Sequence, residues 1–401
     1  MNSDTQSRDT LLTPPTARIR QSNHKQKQRR NRALVAVGTA LAVVAGGAVI
    51  ALVAGGGETP PPPVKSPRTA HVLARPDQSP PQDLIAAGRV AVSGFYTTKV
   101  VNEANGNATG TYTWSLYNEA TKHYQKTDWA WVDVAPGMRT AAVLERDLPA
   151  DRVGLVNMAT GEVQRWIKVD KEIGSVQFSP DGKRLVATTY HLNPDGLYKD
   201  SSYRLNDKKV PGPKPSRTGF YVIDLATGKA KFSALPPRKD GTGAFAGAGR
   251  QDLQWDRDGK LLWEPAANKD GKVYYNEDAR QSPVPEREAS LPFSGGVLSP
   301  DGTHITGKFV GEDGQIVSEI LNAKTGKRSA LVPGQQMLAW ADNDHLIAWR
   351  CDPKQCEPGK GEFRNQLILV GVNGEKAIPL SGYRHAKLRD DSRWTPILSE
   401  R

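Results

Sequence analysis

From about residue 82 onward the chain repeats one pattern: an apolar or aromatic residue, a short polar turn, then an apolar run that reads as a second strand. That is one β-hairpin, and its return at a near-constant interval predicts a repeat architecture. The copies read VAPGMRT from Val134, FSPDGKRL from Phe178, WDRDGKLL from Trp255, LSPDGTHI from Leu298 and WADNDHLI from Trp340, at intervals of 44, 77, 43 and 42 residues. A second landmark runs in phase with the first, a strand closing on a turn of the form N/D-x-x-T-G-K/E. It occurs as GLVNMATGE from Gly154, FYVIDLATGK from Phe220 and EILNAKTGK from Glu319, and more loosely as LYNEATKH from Leu116 and LVGVNGEK from Leu369. The long interval contains a polar, proline-bearing stretch, His191 to Arg217, which reads as a 27-residue loop; without it the interval is 50.

A unit of roughly 40–45 residues suits a four-stranded blade, and blades stacked around an axis bury faces that no blade buries alone. The fold expected is therefore all-β, a β-propeller. A degenerate first blade at 82–128 brings the count to six, and the two departures from the turn pattern, at Val134 and Trp340, leave seven open. The turn chemistry fits a hairpin. Pro180 and Pro300 preset φ near −65°, Asp181, Asp258 and Asp301 can bond the backbone two residues on, and Gly182, Gly259 and Gly302 take the positive φ that follows. These residues are read as structural. Phe178, Trp255, Leu298 and Trp340, just before the turns, are expected in the core of the inner strands.

FSPDGKRL and LSPDGTHI, together with YVIDLATGK, resemble the TolB-like, or PD40, branch of WD40-type β-propellers found among exported bacterial proteins. The resemblance spans about residues 82–380 and implies a propeller used as a binding scaffold. Its motifs are specific for fold and weak for function.

A second hydropathy feature lies upstream. Residues 33–54, ALVAVGTALAVVAGGAVIALVA, form 22 uncharged positions. At 1.5 Å per residue they extend about 33 Å, enough for a hydrocarbon core of about 30 Å. Residues 1–32 carry eight Lys and Arg against two Asp, about half of the net charge of +11. Basic residues immediately before an apolar span place the N-terminus in the cytoplasm and the remainder outside. The alternative, a cleaved secretory signal, has a shorter apolar region. The proline and glycine stretch at 55–80 reads as an extended spacer. The expected organisation is a basic cytoplasmic tail at 1–32, a transmembrane helix at 33–54, a linker at 55–80 and a propeller ectodomain at 81–401. This plan is similar to that of membrane proteins common in high-GC Gram-positive bacteria.

The two cysteines, Cys351 and Cys356, flank a proline-containing turn in the exported part. In an oxidising compartment they read as a local disulfide, which closes a small loop and contributes about 2 kcal/mol. Zinc usually takes four ligands, and no His or second Cys pair lies nearby.

Motifs for chemistry are sparse. No GxSxG elbow or HExxH helix occurs, and the seven histidines are scattered singly. The acidic runs at Asp256–Asp258 and Asp342–Asp344 lack the glycine at position six and glutamate at twelve of an EF-hand, and they coincide with the repeated turn. The glycine-rich run at Gly241–Gly249 lacks the GK[ST] of a phosphate loop. No cofactor or metal is expected. Nucleic acid is set aside because the basic run abuts a membrane span. The reading is a membrane-anchored, extracytoplasmic propeller that binds an envelope protein, using the 191–217 and 351–356 loops. The alternatives are binding of an anionic wall polymer, or a lyase or hydrolase acting on polysaccharide through the channel.

Overall fold

Short β-branched and aromatic runs broken by Asp-Gly and Thr-Gly turns give an all-β chain of antiparallel meanders. The computed structural model describes residues 71–205, 207–237, 249–266, 271–291, 295–311, 316–351, 354, 364–384 and 393–401. The predicted tail, the apolar run at 33–54 and most of the spacer lie outside this set. Among the described residues no helix is long and apolar enough to cross a membrane.

The chain opens with β1 (Val72–Leu73) and β2 (Ala86–Ala87), then β3 (Val90–Asn102), β4 (Ala108–Asn118) and β5 (His123–Thr127). The second meander is β6 (Trp131–Val134), β7 (Thr140–Leu144), β8 (Ala150–Asn157) and the first half of β9 (Val163–Phe178). The second half of β9 starts the third, which continues through β10 (Arg184–Tyr190), β13 (Arg217–Asp224) and β14 (Ala230–Ala234), with β11 (Gly196–Leu205) and β12 (Lys208–Gly212) inserted between β10 and β13. Only Ile173 of β9 pairs with both neighbours, Ala150 and Thr189, so one long strand serves two meanders.

The fourth is β15 (Gln254–Trp255), β16 (Leu262–Pro265), β17 (Lys272–Tyr275) and β18 (Gln281–Ser282). In the fifth, β19 (His304–Phe309), β20 (Val317–Asn322) and β21 (Arg328–Pro333) are joined on the inside, among the described residues, by the single bridge Leu298↔Ile305. The sixth is β22 (Gln336–Trp340), β23 (His345–Cys351), β24 (Asn365–Gly371) and β25 (Ile378–Arg384). The last strand, β26 (Thr395–Glu400), returns to pair with β3. Each sheet is open, and the six meanders, numbered below as blades 1 to 6, follow the strand order of a β-propeller whose first and last segments share one sheet.

The core lies between blades. Val134, Phe178, Trp255, Leu298 and Trp340, the residues before each turn, are all at most 9% exposed. Trp131 Nε1 donates to Val176 O across blades 2 and 3 at 2.9 Å, and Trp340 Nε1 to Val297 O across blades 6 and 5 at 3.0 Å.

The 191–217 segment differs from the expected loop. β11 and β12 pair as an antiparallel hairpin in which Tyr203 faces Val210 and Arg204 faces Lys209. The base of β11 adds to the edge of β4 through Gly196↔Thr109 and Leu197↔Ala108. Backbone groups in a polar stretch still need partners, and the protruding edge of β4 supplies them. Arg217 is already strand, opening β13. Within the expected linker, residues 71–80 are tied down: Arg75 N donates to Leu380 O and Gly382 N to Gln78 O, both at 2.8 Å.

Candidate functional site

The predicted turn residues form a repeated bonding pattern. Asp181 accepts from Ser179 Oγ at 2.5 Å and Lys183 N at 3.1 Å; Asp301 accepts from Ser299 Oγ at 2.6 Å and Thr303 N at 3.1 Å. Ser179 Oγ and Ser299 Oγ in turn receive Arg184 N and His304 N, each at 3.0 Å. Gly182, Gly259 and Gly302 have φ of 69°, 64° and 75°. In the Trp255 copy no serine is present, and Asp256 takes its place by accepting Lys260 N and Leu261 N, while Asp258 pairs with Arg287. Pro180 and Pro300 lead these turns. The proline, aspartate and glycine set is thus spread around one end of successive blades and converges on no common centre. Cys351 ends β23, is 3% exposed and is disulfide-bonded. Cys356 lies outside the described residues.

Sequence reasoning missed the buried charges. Arg250 pairs with Asp195 from the hairpin insertion and with Asp252, and its guanidinium lies 4.1 Å from the Trp131 ring. Tyr190 OH donates to Asp252 at 2.8 Å. Arg217 pairs with Glu264 at 2.7 Å, and Tyr275 OH donates to the same carboxylate at 2.8 Å. These ion pairs join blades 3 and 4, and their donors and acceptors satisfy one another. Among the described residues no group of three or more His, Cys, Asp and Glu could hold a metal ion.

One site with unmet hydrogen-bonding capacity is a cavity of about 380 Å³ walled by the inner strands of blades 4, 5, 6 and 1. That volume falls in the range of small-ligand pockets. Gln254 and Trp255 of β15 line it; both are at most 7% exposed, and Gln254 Nε2 and Trp255 Nε1 are buried with no acceptor. A buried donor without a partner costs about 1–3 kcal/mol, and both of these donors belong to residues of the lining. Each indole in the lining has a face already covered. Arg184 sits 4.5 Å over Trp255, Lys272 4.2 Å over Trp263, and His304 stacks on Trp340 at 6.0 Å.

Cations gather at the rim. Arg89 pairs with Glu400, and Lys272 with Glu288. The Arg257 nitrogens instead reach two carbonyls, Ser299 O and Pro300 O. Burial, then repulsion from Arg287 and Arg89, pulls Arg257 below the usual guanidinium range. The arrangement offers donors and positive charge to a ligand rich in acceptors. The nearest sequence signal was the tryptophan of WDRDGKLL, which the pattern assigns to the core of an inner strand.

No protein-family model and no curated protein sequence matches the chain. Among solved structures it is similar to TolB from Acinetobacter baumannii at 15% identity, covering 79% of this chain and 67% of that one with a TM-score of 0.37. It is also similar to an oligogalacturonate lyase in complex with manganese, at 12% identity over 77% of this chain and 86% of that one, TM-score 0.40. The Myceliophteria thermophila Cps50 (Swd1) β-propeller domain aligns at 10% identity over 74% and 88%, TM-score 0.36. At identities and scores this low the likenesses bear no weight for activity, substrate or partner.

Proposed function

We propose that the chain is a membrane-anchored, extracytoplasmic β-propeller of six blades that serves as a protein-binding scaffold in the cell envelope. It grips an acceptor-rich extended segment of its partner in the cavity between the inner strands. The observation that carries this reading is the pair of buried, unpartnered donors, Gln254 Nε2 and Trp255 Nε1, in the cavity wall. The cavity is also bounded by inner strand edges, whose main-chain groups suit a peptide better than a sugar.

The test uses the full-length protein crosslinked in its native membrane, followed by identification of what co-purifies. Gln254→Glu replaces a donor with a negative acceptor and is expected to abolish recovery of the partner. Trp255→Phe keeps the ring, removes one N–H, and is expected to weaken partner binding about 5-fold, the worth of roughly one hydrogen bond. Undiminished recovery with Gln254→Glu would sink the assignment of the cavity.

A further inference from the structure

Three arginines are buried among the described residues: Arg217, Arg250 and Arg384. The first two have carboxylate partners. Arg384, at the end of β25 and 4% exposed, has none among the described residues. Strand register sets Cys351 opposite Asn365 and Asn365 opposite Arg384, so the three share one face of blade 6. That face packs on blade 1: Trp349, Leu367 and Trp394 join Val92 and Phe95 in one apolar cluster.

The guanidinium lies 3.9 Å from the Trp349 ring, and Nη1 donates to Trp394 O at 2.6 Å. Trp394 is itself fixed by donating Nε1 to Ser79 Oγ at 3.0 Å. Nε is buried and has no acceptor. Nη2 makes no hydrogen bond to a described residue. Next to it, Asn365 Oδ1 accepts from Gln335 Nε2 at 2.8 Å, which leaves the Nδ2 of Asn365 as a donor without a described acceptor. Stacking on an indole and one carbonyl bond hold the group in place, but no described carboxylate compensates its charge, and an uncompensated buried charge is strongly destabilising. Burial lowers Arg384 to about 10, against an opposing pull from Tyr96, so it stays protonated at neutral pH.

We propose that Arg384 anchors a carboxylate-binding site at the seam of blades 6 and 1. With Nη1 committed to Trp394 O, the buried Nε–Nη2 edge, unpartnered among the described residues, is the side of the fork that would receive a carboxylate bidentately, and Asn365 Nδ2 adds a third donor. The ligand is a single carboxylate, supplied by a small free acid or by an acidic side chain of a bound peptide. Its binding neutralises the seam beside which the last described strand pairs with β3, and so stabilises the fold.

The experiment is thermal unfolding of the full-length protein in detergent at pH 7, followed by tryptophan fluorescence. Sodium acetate is compared with sodium chloride at equal ionic strength, and a capped triglutamate peptide with capped triglutamine. The expected result is a saturable rise in Tm on the order of 2 °C with a carboxylate. Arg384→Gln should lose the rise, and Asn365→Ala should need about 5-fold more acetate for the same effect. A response to acetate alone identifies a free acid as the ligand; a response to triglutamate at much lower concentration identifies an acidic segment. The proposal is overturned if neither carboxylate differs from its control in the wild-type protein, or if Arg384→Gln responds as the wild type does. The wild-type comparison decides the matter even where Arg384→Gln fails to fold.

Discussion

Asp133 and Gln177 occupy equivalent places, each one residue before the turn-leading position of an inner strand. Each reaches the next blade by accepting a backbone N–H: Asp133 from Phe178 at 2.7 Å and Gln177 from Trp255 at 2.9 Å. Gln254 is the third member of the series. Its Nε2 has no partner, and the residue lines the cavity. The first member carries a measurable signature. Desolvation pushes the Asp133 carboxyl up to about 7, against the N–H groups of Phe178 and Val134, which favour its ionised form. An unfolded Asp titrates near 3.8. Between these values the folded state holds a proton that the unfolded state has lost, so this residue's contribution is complete below about pH 4 and falls as pH rises towards 7. The loss is at most on the order of 4 kcal/mol. Urea unfolding at pH 4.5 and 7.5 should show wild-type stability declining over that interval and Asp133→Asn declining less. Equal declines in the two proteins would remove Asp133 as the cause.

At the scale of elements, the inserted hairpin is a structural brace. Asp195 lies at its base and pairs with Arg250, so removing residues 191–216 leaves a buried guanidinium whose remaining described polar partners are Gly174 O at 2.8 Å and the Asp252 carboxylate at 3.4 Å. The expected cost is about 3–5 kcal/mol, and adding Arg250→Met to the deletion should restore part of it. Chemical denaturation of the two deletion variants checks this; if the methionine makes the deletion less stable, Asp195 is not the missing group. This brace was illegible in the sequence for a physical reason. Its pairing partner, β4, lies some 90 residues earlier, and the alternation that would mark β11 is carried by Tyr198 and Tyr203 amid polar residues. The Asp-Gly turns were legible because their bonds are local: Asp181 and Asp301 bond residues two positions away. The blade period followed from those turns. The cavity and the Arg384 seam were not legible, since each is assembled from strands far apart in the chain, and whether a buried Arg has an acid beside it is decided by tertiary packing.

For the whole molecule, the decisive contact is the return of the C-terminal strand. The degenerate first blade was incomplete in sequence order because its inner strand is β26, contributed by the last residues. Six residue pairs join β26 to β3, from Thr395↔Tyr96 to Glu400↔Val90. Ser93 Oγ and Ser399 Oγ meet at 2.8 Å, and Gly137 N donates to Glu400 O at 2.8 Å, linking the strand to blade 2 as well. Arg401 N donates to Arg89 O at 2.9 Å and its Nη2 to His71 O at 3.0 Å, which brings the start of the described chain to its end. Several backbone bonds at about 1 kcal/mol each, with the burial of Leu398 against blade 1, amount to on the order of 5 kcal/mol or more, comparable with the whole stability of a domain. A chain ending at Trp394 is therefore expected to lose its cooperative urea transition, whereas Arg401→Ala, which removes one side chain at the rim, should shift the midpoint only slightly. If the truncated chain unfolded with the wild-type midpoint and slope, closure by β26 would not be what holds the blades in register, and the inter-blade clamps at Asp133 and Gln177 would have to carry that load.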